Sequence, residues 1–192
     1  MQKQIIITGF GGQGVVLAGR IVGKAAAIGD KLESTLVQSY GPESRGGACS
    51  AQITIADVEI YYPYITEPDI LVAMSQSGYE KYKDQLKDDS ILIVDEDLVR
   101  PEAKADDYFS VPSTRFAEEI GFKMMANIIM IGFFTAVTKA ISLEAARKTV
   151  LASVPEGTEK KNLRAFEKGW EYGRAILKAR SKKAAGQLGV VA

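Results

Sequence analysis

The chain has 192 residues, with 24 basic and 24 acidic side chains, so no net field favours nucleic acid or an anionic membrane. It has no histidine and a single cysteine, Cys49. That composition excludes His general-base chemistry, His-ligated zinc, an internal disulfide and a Cys₄ iron–sulfur site carried by this chain alone. Size and apolar content suffice for one domain with a real core.

No secretory signal is visible, because Met1-Gln2-Lys3-Gln4 runs straight into Ile5-Ile6-Ile7. Residues 4–8 read as a short strand, ended by Gly9-Phe10-Gly11-Gly12-Gln13-Gly14. Residues 15–28 repeat apolar side chains at helical spacing, with Gly29 as the stop. A second strand is expected over 32–39, followed by the loop Tyr40-Gly41-Pro42-Glu43-Ser44-Arg45-Gly46-Gly47. Residues 48–56 alternate, with Ala51, Ile53 and Ile55 on one face, and 59–64 are expected to form their hairpin mate at a sheet edge. Tyr61, Tyr62 and Tyr64 on that mate are candidates for a subunit interface.

Residues 69–74 and 90–94 are buried-strand runs, 75–86 are helical between them, and 109–111 make a last short strand. From 113 onward the pattern is helical, over 113–120, 126–140, 142–154 and 158–180. The apolar stretch 124–138 falls short of the about 20 residues needed to cross a bilayer and carries Asn127, so it reads as a buried helix. The last helix sets Leu163, Phe166, Trp170, Gly173 and Leu177 on one stripe, and Gly169 and Gly173 predict close approach of another backbone. Alternation of strands and helices implies an α/β domain with an open, mostly parallel sheet in three layers, an antiparallel edge hairpin and a helical C-terminal third. The domain is expected over 1–180, with 181–192 as a flexible tail.

Gly9-x-Gly11-x-x-Gly14 between a strand and a helix has the dinucleotide-binding spacing, in which glycines make the turn and helix N–H groups attract phosphate. The acid that should hold a ribose at the end of the second strand is missing there, where Val37-Gln38-Ser39 stand. The second loop spends three glycines, a proline and the opposite charges of Glu43 and Arg45 within eight residues. Those charges either pair with each other or leave Arg45 facing the crevice where open α/β sheets bind ligands. Cys49 reads as a small buried hydrophobe rather than a reactive thiol. Asp95-Glu96-Asp97 reads as a solvated acidic loop rather than a Mg²⁺ site.

Together the two loops resemble the gamma subunit of 2-oxoacid:ferredoxin oxidoreductases, the pyruvate/ketoisovalerate oxidoreductase family. Pro68-Asp69-Ile70-Leu71-Val72-Ala73, Asn127-Ile128-Ile129-Met130-Ile131-Gly132 and the run from Asn162 through Phe166 to Gly169 agree, and the similarity spans residues 4–173. The form Tyr40-Gly41-Pro42-Glu43-x-Arg45-Gly46-Gly47 is most similar to the 2-oxoglutarate type.

The resemblance implies a component that is inactive alone. Holoenzymes of this family decarboxylate a 2-oxoacid on thiamine diphosphate with Mg²⁺. They pass electrons through iron–sulfur clusters to ferredoxin and deliver the acyl group to coenzyme A. Those cofactors sit on other chains, and this chain is expected to hold none alone. Its expected partners are alpha and beta chains, with delta as a further candidate, in the cytoplasm. No catalytic or metal-binding residue is assigned. The residues expected to meet coenzyme A or a neighbouring subunit are Gly9, Gly11, Gly12, Gln13, Gly14, Tyr40, Gly41, Glu43, Arg45, Gly46, Gly47 and Asn127. A self-contained dinucleotide-binding protein and a purely structural subunit stand as alternatives.

Overall fold

Isoleucine-rich and β-branched runs form six strands in one sheet, in the order β2-β3-β1-β4-β5-β6. They are β1 (Gln2–Phe10), β2 (Glu33–Tyr40), β3 (Ala48–Ala56), β4 (Ile70–Ala73), β5 (Ile91–Asp95) and β6 (Phe109–Val111). The computed structural model describes residues 1–40, 48–102 and 107–188. The expected site residues Gly41, Glu43, Arg45, Gly46 and Gly47 lie outside the described residues.

β1, β4, β5 and β6 run parallel. β3 is antiparallel to both β1 and β2, which makes β2 parallel to β1 at one remove. The helices are α1 (Val15–Lys24), α2 (Gln76–Tyr82), α3 (Ser113–Glu119), α4 (Ala126–Thr138), α5 (Leu143–Ser153) and α6 (Glu159–Leu188). A π turn over Ala25–Gly29 extends α1.

Period-two alternation divides the core between the two faces of the sheet. Ile5, Ile7, Ala51, Ile53, Ile55, Val72 and Ile93 pack against α1, α3, α4, α5 and α6. Ile6, Leu71, Ala73, Leu92 and Val94 meet Tyr79 and Tyr82 of α2 together with Ile65 and Val99. The α/β class, the three layers, the largely parallel sheet and the helical C-terminal third are as expected from the sequence.

The antiparallel edge is built differently. Residues 59–64 form no strand. The mate of β3 is β2, and β1 occupies the other side of β3, so β3 has no free edge for a third partner. The chain instead crosses irregularly from β3 to β4, pinned where Ile65 N donates to Gln52 Oε1 at 3.1 Å and Ser90 Oγ to the Pro68 carbonyl at 2.7 Å. Tyr61, Tyr62 and Tyr64 are exposed on this crossing.

α4 is buried without interruption from Asn127 to Ala136, as an all-round apolar helix must be. Its closest neighbour is α6. A Cβ on Gly132 would stand 2.0 Å from the Phe166 carbonyl oxygen, and one on Gly169 would stand 1.9 Å from that of Ile129. Here the glycines let two backbones touch, as the last helix's composition predicts. The buried face of α6 is Asn162, Ala165, Phe166, Gly169 and Gly173, with Leu163, Trp170 and Leu177 half-buried at its margin. The helix also runs past the expected end at Arg180 to Leu188. The side chains of Ser181 to Ala185 are exposed, so no apolar period marks that last stretch.

Candidate functional site

β1 delivers the first glycine loop to the C-terminal edge of the sheet, between β4 on one side and β3 on the other. α1 carries the chain from β1 towards β2, and α2 carries it from β4 towards β5 on the opposite face. The gap between β1 and β4 is therefore a topological switch point, where open α/β sheets present a ligand crevice.

The loop is shaped by its own side chains. Gln13 Oε1 accepts from Phe10 N at 2.7 Å, and Gln13 Nε2 donates to the Met74 carbonyl at 2.9 Å. The Gln13 amide thus lies across the switch point. Gly9 makes room for it, since a Cβ there would sit 2.5 Å from Gln13 Oε1. Gly12 and Gly14 hold φ of 97° and 73°, the left-handed region that side chains disfavour. Gly14 caps α1 without a side-chain hydrogen bond, which leaves the first-turn N–H groups without an intrahelical partner.

Asn127 ties the loop to the core helix. Buried at the start of α4, it donates from Nδ2 to the Gly14 carbonyl at 3.2 Å and accepts from Ile128 N at 2.9 Å. Gly14 also cannot carry a side chain here, because a Cβ would be 2.3 Å from Asn127 Nδ2. The amides of Gln13 and Asn127, expected to meet coenzyme A or a neighbouring subunit, both make hydrogen bonds within the chain. Gly11 and Gly12 remain exposed at the tip.

Tyr40 ends β2 at this same edge. The register runs Gly9 to Cys49 to Tyr40 across β1, β3 and β2, about 10 Å at the usual strand spacing. Its ring is exposed, and its hydroxyl donates to Gln38 Oε1 at 3.0 Å. The structure therefore brings Gly9, Gly11, Gly12, Gln13, Gly14, Tyr40 and Asn127 to one end of the sheet. Exposed Phe10 and Met124 join them there, beside the loop and just before α4. Neither residue type in isolation signals a surface role; the signal is position at a strand end or helix start. The Met74 carbonyl, a backbone group brought beside Thr8 by β1–β4 pairing, leaves no mark in the sequence at all.

Cys49 is buried on β3, and burial pushes its thiol above the ordinary range. The acidic loop is not uniformly solvated as its charges suggest. Asp95 is fully buried and accepts from Ser113 Oγ, Thr114 N, Thr114 Oγ1, Asp97 N and Leu98 N. It ties the end of β5 to the start of α3, while Glu96 and Asp97 pair with Arg115 outside. Among the described residues, no group of three His, Cys, Asp or Glu side chains is placed to hold a metal ion. None of the described helices is long and apolar enough to cross a membrane.

Comparison with known proteins defines the class. The family model for pyruvate ferredoxin/flavodoxin oxidoreductase matches residues 4–172. The chain belongs to that family. It is 48% identical over 181 residues to the 2-oxoglutarate synthase subunit KorC of Methanocaldococcus jannaschii, covering 92% of this chain and 96% of that one. Among solved structures, the gamma subunit of a keto/oxoacid ferredoxin oxidoreductase from Geobacter sulfurreducens PCA is similar at a TM-score of 0.78 and 36% identity, over 90% of this chain and 99% of that one. The fold also recurs, at a TM-score of 0.79 and 23% identity, in a 2-oxoglutarate:ferredoxin oxidoreductase from Magnetococcus marinus. There 91% of this chain corresponds to 31% of a longer one.

Proposed function

We propose that this chain is the gamma-type subunit of a cytoplasmic 2-oxoglutarate:ferredoxin oxidoreductase, docking on the alpha and beta chains that hold thiamine diphosphate and the iron–sulfur clusters. The observation that carries this reading is similarity at 48% identity over nearly the whole length of a 2-oxoglutarate synthase subunit. The composition fits a component: with no histidine and one buried thiol, this chain brings no imidazole proton shuttle and no set of cysteines to hold a cluster.

Its contribution lies at the glycine-loop edge. The open first turn of α1 and the exposed tip at Gly11 and Gly12 suit a phosphate or amide of coenzyme A, and Arg45, a cation by its chemistry, is the candidate to pair with that anion. Gln13 and Asn127 hold that edge in shape without needing a ligand. A dinucleotide-binding role is disfavoured by geometry as well as by the missing acid. β3 separates β2 from β1, which moves the ribose-binding position one strand further from the loop, and the Gln13 amide lies across the switch point itself.

The test is to tag the chain in its native host, purify it anaerobically and identify its companions by mass spectrometry. Thiamine- and cluster-binding chains in a brown complex are the expected result, and a lone colourless protein overturns the reading. Within the active complex, Arg45→Ala is expected to raise the coenzyme A KM. Because the Gln13 and Asn127 amides are already engaged inside the chain, a purely structural loop is the second reading. An unchanged KM would establish it.

A further inference from the structure

The two edges of the sheet are treated very differently. β6, at one edge, has three residues. It is guarded by Arg180, whose guanidinium lies 4.0 Å over the Phe109 ring and donates to the Tyr108 carbonyl. β2, at the other edge, has eight residues, Glu33-Ser34-Thr35-Leu36-Val37-Gln38-Ser39-Tyr40, with no proline and one charge, at its end. Long open edges with that composition are templates for another strand, and proteins ordinarily blunt them. Here the described residues cover β2 with no further strand.

Beside this edge runs a groove of about 240 Å³ between β2 and α1, lined by Arg20, Gly23, Lys24, Ile28, Ser34 and Leu36. Gly19 and Gly23 let α1 settle close onto the sheet: a Cβ on Gly19 would be 2.5 Å from Ala51 Cβ, and one on Gly23 would be 3.2 Å from Ser34 Oγ. α1 therefore leaves the outer edge of β2 uncovered. Ile28 is 64% exposed at the groove's end. Arg20 and Lys24 have no carboxylate partner among the described residues.

We infer that β2 pairs with an extended, acidic segment of a partner subunit, which adds a seventh strand and sets its carboxylates against Arg20 and Lys24. Backbone hydrogen bonds supply the register, and one apolar side chain of the segment enters the groove between Leu36 and Ile28. A second copy of this chain fits less well. Two-fold β2–β2 pairing would set two α1 helices side by side, with Arg20 and Lys24 of each facing the same like charges and only Glu33 from each strand to offset them. The inference rests on the subunit reading above, and its surface meets the glycine-loop edge only at Tyr40, where β2 ends.

Hydrogen exchange on the full chain, alone and in the purified complex, tests it. Every second amide of an antiparallel edge strand points away from its neighbour. Those outward β2 amides are expected to exchange about 100-fold or more slowly in the complex than in the lone chain. The double variant Arg20→Glu/Lys24→Glu changes two exposed side chains. It is expected to keep the thermal midpoint of the lone chain while loosening its hold on the complex by about tenfold or more at low salt, a loss that added salt partly relieves. A complex that forms with unprotected β2 amides, or that ignores the charge reversal, overturns this inference and leaves the subunit reading standing. Protection in the lone chain that grows with its own concentration reports a second copy and also overturns it. A chain that joins no complex overturns both.

Discussion

Gln13 Nε2 reaches the Met74 carbonyl at 2.9 Å, 61 residues further along the chain, and in doing so bridges the ends of β1 and β4. The same amide accepts from Phe10 N, so one side chain fixes both the shape of the glycine loop and its seat against the neighbouring strand. A motif with dinucleotide-binding spacing is thereby turned into a self-supporting surface. Gly9 and Gly14 are required for internal reasons: each would drive a side chain into Gln13 or Asn127. Only Gly11 and Gly12 face outward.

The Gln13–Met74 bond makes a pH-dependent prediction. Gln13→Glu keeps an acceptor for Phe10 N but sets a carboxylate oxygen against the Met74 carbonyl. Loss of the donor costs about 1–3 kcal/mol near neutral pH, or roughly 2–4 °C of thermal midpoint per kcal/mol for a chain of this size. Protonation restores a donor, so the introduced carboxyl has a raised pKa in the folded state. Stability is then fully present below the unfolded value of about 4.3 and is lost as pH rises through the folded value. Thermal scans across pH should show the variant gaining on the wild type as pH falls. A constant deficit at all pH values would mean that the bond contributes little.

The α4–α6 contact separates two reasons for a glycine. Gly132→Ala and Gly169→Ala each improve helix propensity by about 1 kcal/mol, yet each places a Cβ against a backbone carbonyl that neither helix can withdraw. With a Cβ set about 2 Å from a backbone oxygen, overpacking at or beyond the upper end of the usual about 1–3 kcal/mol outweighs the gain. Gly12→Ala meets no atom within 4 Å and carries only the penalty of its positive φ, about 1 kcal/mol. Urea denaturation should rank both helix variants well below Gly12→Ala.

Much of this arrangement was legible in the residues. β3 and β6 begin and end where alternation and β-branching place them, and the unbroken apolar run of α4 reads correctly as a buried helix. The helix expected over 142–154 is α5, with Ser142 capping it by accepting from Ala145 N. What failed was pairing. Nothing in 59–64 reveals that both sides of β3 are already taken, because pairing partners are set by the whole sheet rather than by local period. Asp95 was misread for a similar reason. Three of its five hydrogen bonds come from Ser113 and Thr114, 18 and 19 residues away, and a carboxylate at a strand end looks solvated until they are in place. The internal use of Gln13 and Asn127 was hidden in the same way.

Asp95 should accordingly behave as a structural acceptor. Asp95→Asn replaces one acceptor oxygen with an amine facing hydroxyl and backbone donors in a fully buried site. A loss of about 3 kcal/mol is expected from the removed charge-assisted bonds and the unmatched donors. Millimolar Mg²⁺ or EDTA should leave the wild-type thermal midpoint unchanged. A clear rise with Mg²⁺ would return the acidic loop to the metal-binding reading.

Cys49 gives the last prediction. Its thiol is buried against the core on β3, and desolvation raises its pKa. Less thiolate is therefore present at any given pH than for a free cysteine, and access is restricted as well. Iodoacetamide at pH 8 should modify the folded chain at least about tenfold more slowly than the urea-unfolded chain, read as a mass increase on intact protein. The linked effect on stability has a definite sign. A raised folded pKa means the thiol's contribution is complete below the unfolded value of about 8.5 and is lost as pH rises through the folded value. Cys49→Ala should flatten that alkaline decline while costing some core packing at pH 7. Rapid alkylation of the native chain would instead place the thiol at an accessible surface, beside the loop that Tyr40 leads into.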